Sequence, residues 1–592
     1  MTDSAVASAA PIQALAGLAP LLDAVSLAEP WALIERFATR KREHPDDVRW
    51  AAREIVSRLE RFGVPVTVHE PEIYLSLPGA ARVEAAGRTI RAKPLAMSRA
   101  CPEGLAAPLA FAPTDFDPNT DQVISGPSAD DAALDLRGKL VLAHGFGMSS
   151  MARHFEERGA AGLIAVHPGK NPHWGICSTV WGTPDLRDLP RKPNFVVVSV
   201  SHPDGLELIE LARQGGKATV FAALEEGWYA SPIPVVTIPG ALEPESFVLL
   251  HGHYDSWDVG VGDNAVGDAC MLEVARVLWQ HRSALQRSVR IAWWPGHSTG
   301  RYAGSTWFAD HYALDLYQHC IAQVNCDSPG CRWATEYLDV AWMSEAEDWA
   351  RAVIRAAAGK EARGERPYQA GDYSFNNIGI SSYFMLLSTM PPDLRAEKGY
   401  YTVGGCGGNI AWHTEEDTLE IADRDVLLTD MKIYLAAVAG AANATIAPFD
   451  FGRTVEEFSR SLARYQEEAG TEFDFAPARA ALTELAELLD RFRAHCARLA
   501  QRPVSDPAVR RANAALRRLA RLLVPVNYTT GPAFFHDPAE TIPPLPDLAP
   551  ALSLQDAPAE RRGFIRTHLV RGQNRLVAAL RDAGAVVGEA MG

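Results

Sequence analysis

The chain has 592 residues, of which 73 are acidic and 57 are basic, and its formal net charge is −16. That length is sufficient for about three or four domains, and the shares of hydrophobic (47%) and charged (22%) residues are typical of globular proteins. The acidic balance argues against a nucleic-acid partner, because proteins that bind polyanions present clustered Lys and Arg.

The amino-terminal stretch, residues 1–26, is rich in alanine but begins with an acidic residue where a secretory signal would carry basic ones. No stretch of the sequence reaches the roughly 20 apolar residues of a membrane span. The eight cysteines have no paired spacing, so free thiols are expected. Together these features predict a cytoplasmic protein that does not enter a membrane.

Residues 26–232 show two patterns in succession. In the first, apolar residues at helical spacing predict a helix over 46–62, and a strand is expected at 65–68. In the second, from residue 100 onward, a strand, a helix over 149–158 and a further strand follow one another. The loop over 171–177 is a candidate lid. The histidines of this second pattern are expected at the surface: His144, His154, His167 and His173.

Residues that could form a metal or catalytic site lie in the centre of the chain. Residues 247–250 are an apolar run that predicts a buried strand, and a helical pattern follows. His253, Asp255 and Asp263 then lie at the carboxyl end of this strand and in the loop beyond it, where open α/β sheets bind their ligands. One imidazole and two carboxylates at that position suggest a metal ion. His251, inside the strand, is expected to be a core histidine.

Three further apolar runs, each read as a strand, end in similar residues. The residues that follow these runs are His297 after 289–294, Asp327 after 321–326 and His413 after 407–412. A lone His-x-Asp is common by chance, but four strand ends with matching chemistry favour a shared metal site.

The last part of the chain has a different character. Helical patterns with leucine stripes cover 455–467, 478–499, 509–523 and 564–583, and a proline-rich extended segment precedes the last of them. Helices packed on one another are therefore expected there.

The central motifs resemble those of the M28 zinc-exopeptidase family. The motifs are His253-Tyr-Asp255-Ser, Asp263-Asn-Ala-Val-Gly267, Val324-Asn-Cys-Asp327-Ser and Trp412-His413-Thr-Glu-Glu-Asp417-Thr. In overall layout the chain is similar to the branch that contains glutamate carboxypeptidase II and the transferrin receptor.

The resemblance implies two zinc ions bridged by one aspartate, which falls on Asp263. It implies His253 and Asp327 as further ligands, and His413 as the ligand of the second ion. Asp255 would be the carboxylate that orients His253, because a ligating imidazole usually gives its other N–H to a carboxylate. Manganese or iron would also suit the carboxylates.

One departure from the family is serious. The family has a Glu-Glu pair, a general base and a metal ligand, where this chain has Gly296-His297-Ser298-Thr299-Gly300. His297 is the candidate replacement, as ligand or as base, and the number of metal ions stays open. In the segment that faces the substrate in the family, Tyr373 is either an O–H donor to a developing oxyanion or a packing residue.

The resemblance also implies an α/β fold with a mostly parallel, zinc-exopeptidase-like sheet and an expected set of regions. Residues 26–99 would be the N-terminal part of the catalytic domain, and 100–232 an inserted protease-associated (PA) domain. Residues 233–449 would complete the catalytic domain. Residues 450–592 would form a helical dimerisation domain, which predicts a homodimer.

The predicted function is metal-dependent hydrolysis of an amide or peptide-like bond, of amino- or carboxypeptidase type, with a small-molecule or short-peptide substrate. A diverged metal-dependent lyase and a non-catalytic binding protein of transferrin-receptor type are the alternatives. Gly296–Gly300 also fits the G-x-S-x-G elbow of a serine hydrolase, with Ser298 as nucleophile. His413 and either Asp372 or Asp417 would then complete its triad. His253, Asp263 and Asp327 of the metal motifs would have no role in such a triad.

Overall fold

The computed structural model describes residue 15 and residues 17–592 except 121, 124 and 125. Residues 1–14, which carry most of the stretch examined for a signal sequence, lie outside the described part. All eight cysteines are free thiols.

The secondary structure comprises fifteen strands and fifteen α-helices within the described residues. The strands are β1 Thr67–His69, β2 Glu72–Ala85, β3 Arg88–Pro94, β4 Cys101–Phe111, β5 Leu140–His144, β6 Gly162–Val166, β7 Val196–Val200, β8 Lys217–Ala230, β9 Ile233–Ile238, β10 Glu243–His253, β11 Arg287–Trp294, β12 Cys320–Asn325, β13 Tyr337–Ala341, β14 Ala362–Glu365 and β15 Ser382–Tyr383. The helices are α1 Ala19–Asp23, α2 Ala28–Phe37, α3 Pro45–Arg61, α4 Ser149–Glu157, α5 His202–Arg213, α6 Val266–Gln280, α7 Ala303–His311, α8 Ala313–His319, α9 Glu347–Ala358, α10 Pro392–Lys398, α11 Arg424–Asn443, α12 Phe451–Ala469, α13 Ala476–Leu499, α14 Pro507–Tyr528 and α15 Ala559–Met591.

A six-stranded mixed sheet forms the centre of the molecule, in the order β1-β9-β11-β10-β12-β15. The strands β11, β10, β12 and β15 are parallel, whereas β9 and β1 are antiparallel additions at one side. Parallel strands end at the same edge, so the residues after β10, β11 and β12 are brought together.

Both faces of this sheet are covered, as its nearly continuous apolar strands require. Alternate residues of β11 enter two different cores: Trp293 packs with α6 and α11, and Trp294 packs with α7 and α8. Both indoles are fully buried. The sheet therefore lies between two helical layers, and only its carboxyl edge and loops remain for a site.

A closed seven-stranded barrel, in the order β2-β3-β7-β6-β5-β4-β8, accounts for residues 72–230. This corrects the boundary expected at residue 99, because β2 and β3 belong to the barrel and not to the catalytic sheet. The reason is that β2 pairs antiparallel with β8 from Glu72↔Ala230 to Ala85↔Ala218. The chain thus enters and leaves the barrel through two neighbouring strands, and of the segment 26–99 only β1 joins the central sheet.

The carboxyl-terminal helices pack on one another and against the catalytic region. The helix α15 contacts both α13 and α14, and α12 contacts α13. Arg521 of α14 joins this bundle to the sheet region: its guanidinium donates to the carbonyls of Leu316, Tyr317, Cys320 and Gly379 at 2.6–3.0 Å.

Among the described residues, no helix combines the length and the apolar character that crossing a membrane would require.

We expect Arg521→Met to lower the free energy of unfolding by about 3 kcal/mol or more, because it leaves several buried carbonyls without a donor. Chemical denaturation followed by circular dichroism measures this. The control is Arg518→Met on the same helix, since Arg518 is exposed and forms an ion pair with the exposed Glu589. Its effect should stay within about 0.5 kcal/mol. Equal stability of the two variants would contradict this role of Arg521.

Candidate active site

His253 is the last residue of β10, and the loop after it is held by hydrogen bonds from Arg42. Arg42, which is fully buried, donates to the carbonyls of Tyr254, Val259 and Gly260 at 2.7–2.9 Å. The loop therefore keeps one conformation between the strand and Asp263. No motif marked Arg42 in the sequence.

Asp263 lies between the two histidines of the motifs. Its Oδ1 is 3.0 Å from Nε2 of His253, and its Oδ2 is 3.1 Å from Nε2 of His413. Burial alone would raise the pKa of this carboxyl, but the two imidazoles hold it well below its usual value. One carboxylate thus faces two imidazoles, as the bridging role predicted for Asp263 requires.

The backbone of Asp263 is positioned by Asp417. The carboxylate of Asp417 accepts the N–H of Gly262 at 2.6 Å and the N–H of Asp263 at 3.0 Å. Burial and the neighbouring Asp263 charge raise the pKa of Asp417 to about 7, although the two N–H groups oppose this. Asp417 was expected only as a triad partner; its contacts assign it to the support of Asp263.

Asp327 completes the group at the end of β12. Its Oδ2 is 3.6 Å from Nε2 of His253, and its Oδ1 accepts the hydroxyl of Ser328 at 3.1 Å. Asn264 ties the ends of β10 and β12 together by donating to the carbonyls of His253 and Cys326. Burial lowers the pKa of His253, but Asp263 and Asp327 more than reverse this and raise it well above the usual value.

His413 reaches the group from a loop and not from a strand end. Residues 406–408 form a short 3₁₀ turn, and no strand precedes His413, so the strand expected at 407–412 is wrong. The imidazole stacks on Trp412 with centroids 3.6 Å apart, and its Nδ1 lies 3.0 Å from the carbonyl of Trp174. This carbonyl fixes Nδ1 as the donor and leaves Nε2 facing Asp263.

The carboxylate of Asp255 does not orient His253, which corrects its expected role. Nδ1 of His253 is 2.9 Å from the backbone oxygen of Asp255 and 3.8 Å from its carboxylate. The carboxylate instead accepts the N–H groups of His297 and Ser298 at 3.1 and 2.9 Å. Asp255 therefore couples the first motif to the substituted one.

His297, after β11, belongs to the cluster. Its ring stacks on His253 with centroids 3.8 Å apart and an interplanar angle of 15°. Ligand-type atoms of His253, His297 and Asp327 all lie within 4.8 Å of one another. Nδ1 of His297 is 2.7 Å from Oδ2 of Asp372, which leaves Nε2 for the site.

Asp372 is fully buried and accepts a second hydrogen bond from Ser305 at 2.7 Å. Burial would raise the pKa of this carboxyl, but the His297 imidazole and Ser305 hydroxyl hold it below its usual value. Ser374 continues the network by contacting Ser305 and accepting the indole N–H of Trp181. The His297 ring is thus held from behind by a connected polar network.

Tyr373 does not fit the role of oxyanion donor. It is 1% exposed and packs with Trp181, Tyr302 and Met385. Its hydroxyl has no hydrogen-bond partner among the described residues. Tyr302 is the tyrosine that contacts the cluster, because its ring meets the His297 ring edge-on at 4.9 Å. It follows the substituted motif by two residues, but no spacing rule indicated it.

The barrel supplies part of the site. Trp174, in the segment considered as a lid, stacks on Trp257, which meets the His413 ring at its edge. His173 and His167 are fully buried here, so their expected surface position is wrong. Their burial lowers the pKa of both imidazoles, that of His167 to about 3. His154 is half exposed and paired with Asp131.

The serine triad is not assembled. His413 faces Asp263 and Trp174, Asp417 holds backbone N–H groups, and Asp372 binds His297. No hydrogen bond joins the Ser298 hydroxyl to a histidine in the part of the chain that the structure describes. Nε2 of His251 donates to the side-chain oxygen of Gln323 at 2.6 Å inside the sheet, as in a core histidine.

Residues 235–438 match the model of peptidase family M28. This central segment of the chain is therefore similar to peptidase family M28. Residues 72–230, which form the barrel, and the helices after residue 443 lie outside the matched segment.

Proteins similar to parts of this chain include several aminopeptidases. Aminopeptidase NAALADL1 of Mus musculus is 35% identical over 98 residues, which are 15% of this chain and 12% of the mouse protein. Leucine aminopeptidase 2 of Arthroderma otae is 25% identical over 270 residues, 45% of this chain and 49% of the fungal protein. The chain therefore spans half or less of these curated relatives.

Solved structures agree on the fold. BSAP, a zinc aminopeptidase from Bacillus subtilis, has a TM-score of 0.52 at 20% identity, over 70% of this chain and 94% of that chain. At this identity the similarity establishes a common α/β architecture and nothing finer.

We expect Asp417→Asn to weaken divalent metal binding by about 10- to 100-fold, because one of the two N–H groups that position Asp263 loses its acceptor. Isothermal titration of the metal-stripped protein with zinc measures this. Asp430→Asn is a control, since this buried carboxylate binds Gly330, Tyr337 and Ser388 and not the site loop. If the two variants bind zinc equally well, Asp417 does not support the site.

Proposed function

We propose that this protein is a metal-dependent hydrolase of a peptide-like amide bond, with an active site that lacks the usual carboxylate base of its family. The observation that carries the proposal is that the two oxygens of Asp263 face His253 and His413, while Asp327 approaches the same Nε2 of His253.

The donor atoms fit a cation. Nε2 of His253 and Oδ1 of Asp263 are buried and have no hydrogen-bond partner, although they lie only 3.0 Å apart. Polar atoms left in this way cost free energy unless a ligand pairs with them. Imidazole nitrogens and carboxylate oxygens are the donors that zinc accepts, and manganese or iron would accept them as well.

In this proposal His253 and Asp327 would hold one ion, His413 a second, and Asp263 both. Zinc bound there would polarise the scissile carbonyl and lower the pKa of a water molecule. Two ions are supported by the opposite positions of His253 and His413 on Asp263; the site with His413 has fewer protein donors.

His297 would accept the proton that the attacking water loses. Its Nδ1 is held by Asp372, so Nε2 is the free acceptor, and the buried carboxylate stabilises the imidazolium that forms. The N–H groups of His297 and Ser298 bound to Asp255 keep the ring at this position. His297 thereby takes the place of the glutamate that the family uses.

The aminopeptidase names of the relatives support a peptide substrate. The barrel is proposed as a PA-like cover, since Trp174 lies against His413.

Exposed apolar side chains on α15, Phe564 and Val570, support a homodimer through the helical region. Eight free thiols support a cytoplasmic location, where thiols stay reduced.

We expect His253→Ala, Asp327→Ala and Asp263→Ala to lower bound metal and activity together, because each removes a donor that water replaces poorly. The loss should be largest for Asp263, which faces both histidines. Metal analysis of protein purified without chelator, with assays on dipeptides and acylated amino acids, measures both quantities. His311→Ala, an exposed histidine on α7, should change neither. Full metal content in all three site variants would refute the assignment.

We expect His297→Ala to cost on the order of 10²-fold in kcat while metal is retained, since a base and not a ligand is removed. Ser298→Ala should be tolerated to within roughly tenfold, about 1.4 kcal/mol. Loss of metal from His297→Ala would instead make His297 a ligand. Labelling of Ser298 by a fluorophosphonate, with activity that survives exhaustive chelation, would restore the serine mechanism.

A further inference from the structure

Arg301, five residues after Gly296 in the substituted motif, is a buried cation with almost no partner. The residue is 2% exposed. Its guanidinium makes one hydrogen bond, of 3.3 Å, to the carbonyl of Ala539, and its Nε has no partner. Among the described residues, no carboxylate lies within ion-pair distance of it. A buried guanidinium offers five N–H groups, so most of this capacity is unused.

Other buried arginines of this chain are satisfied. Arg42 and Arg521 each donate to three or more backbone carbonyls, and Arg287 pairs with Glu243 at 2.6 Å and also donates to the carbonyl of Ala444. Each of these fastens one part of the fold to another. Arg301 has no comparable structural role, which leaves its charge unexplained by the fold.

The backbone at this position is held in an unusual conformation. Arg301 and Tyr302 have φ values of 49° and 72°, in the left-handed region that costs free energy for residues other than glycine. The carbonyl of Arg301 accepts the N–H of Gly182 from the barrel region at 2.6 Å. The fold thus holds two consecutive strained residues directly after the substituted motif.

Arg301 is close to the proposed metal site. Its guanidinium carbon lies 5.4 Å from the centroid of the Tyr302 ring, and that ring lies 4.9 Å from the His297 ring. These contacts place the cation on the order of 10 Å or less from the His297 ring, a span of about two to three extended residues. A substrate whose scissile bond lies at the metal site can therefore reach it.

Three regions meet at Arg301. Gly182 and Trp181 come from the barrel, Tyr302 from the catalytic sheet, and Ala539 from the segment between α14 and α15. The cation is therefore enclosed by three different parts of the chain.

We propose that Arg301 binds a carboxylate of the substrate and so makes this protein selective for anionic peptides or acylated amino acids. This rests on the hydrolase function proposed above. A planar guanidinium can hold a carboxylate through two parallel hydrogen bonds. Burial without a counter-ion is costly, and an incoming carboxylate removes that cost. The carboxylate is either the carboxyl terminus or an acidic side chain.

The test compares matched substrates with wild type, Arg301→Gln and Arg301→Lys. Ala-Ala against its carboxyl-terminal amide tests the terminus, and Ala-Glu against Ala-Gln tests the side chain. We expect wild type to prefer the acid in one pair by tenfold or more in kcat/KM, mostly through KM. Arg301→Gln should lose that preference and keep its rate on the neutral member, and Arg301→Lys should retain part of it. Arg187→Gln, an exposed arginine of the barrel region, is the control for net charge.

Stability and binding separate this role from a structural one. Arg301→Gln should unfold at the same temperature as wild type or higher, because few contacts are lost. Calorimetric titration of the zinc-loaded protein with glutamate should show binding that Arg301→Gln weakens about tenfold. Tighter binding of glutamate than of glutamine would assign the side-chain carboxylate, and equal binding of the two would assign the α-carboxylate.

Several results would overturn the proposal. Equal rates on both members of both pairs exclude carboxylate selectivity, and a preference that persists in Arg301→Gln excludes Arg301. If no dipeptide is cleaved, the titration decides, and equal binding of glutamate by wild type and Arg301→Gln rejects the role. Chelator-sensitive cleavage of the neutral substrates would meanwhile leave the hydrolase function standing, so the two failures are distinguishable.

Discussion

The position of the Asp263 carboxylate is the constraint on which the rest of the site depends. It faces His253 with Oδ1 and His413 with Oδ2, and the buried Oδ1 and the His253 nitrogen opposite it have no hydrogen-bond partner. Buried polar atoms that lack a hydrogen-bond partner cost free energy unless a cation pairs with them. Two neighbouring residues keep Asp263 in this position. Asp417 accepts hydrogen bonds from its backbone region, and Arg42 fixes the loop that leads to Asp263. The unpaired atoms of His253 and Asp263 therefore lower the stability of the fold, and a bound metal ion can restore it.

The substituted motif after β11 is held in place through its backbone. Asp255 holds the N–H groups of His297 and Ser298, so the loop after β11 keeps its place whatever side chain it carries. The imidazole of His297 is paired with the carboxylate of Asp372, which comes from a distant part of the chain. Nδ1 of His297 is thereby engaged and Nε2 is left for the site, which is the arrangement that the proposed base requires.

Local patterns predicted much of the fold. The helix expected over 46–62 is found at Pro45–Arg61, and the residues after β10, β11 and β12 meet because parallel strands share an edge. The barrel boundary was not predictable, since β2 is fixed by pairing with β8 far along the chain. Nor does spacing show whether a carboxylate or its own backbone oxygen faces an imidazole, which is why the role of Asp255 was assigned wrongly. Tyr302 and Arg42 carried no signal, because packing and not spacing brings them to the site.

The site is built at a junction, and this has a consequence for selectivity. His253, His297 and Asp327 follow neighbouring strands at one sheet edge. His413 comes from a loop, Trp174 from the barrel region and Ala539 from the segment before the last helix. Residues on a sheet edge are fixed by the packing of that sheet, so they can change little. Residues that approach from other regions are free to vary with the loops that carry them. Arg301 lies where these regions meet, and its one hydrogen bond goes to Ala539. In the function and selectivity proposed above, the chemistry would depend on the sheet, whereas recognition of the substrate would depend on how the barrel and the helical region are placed around it.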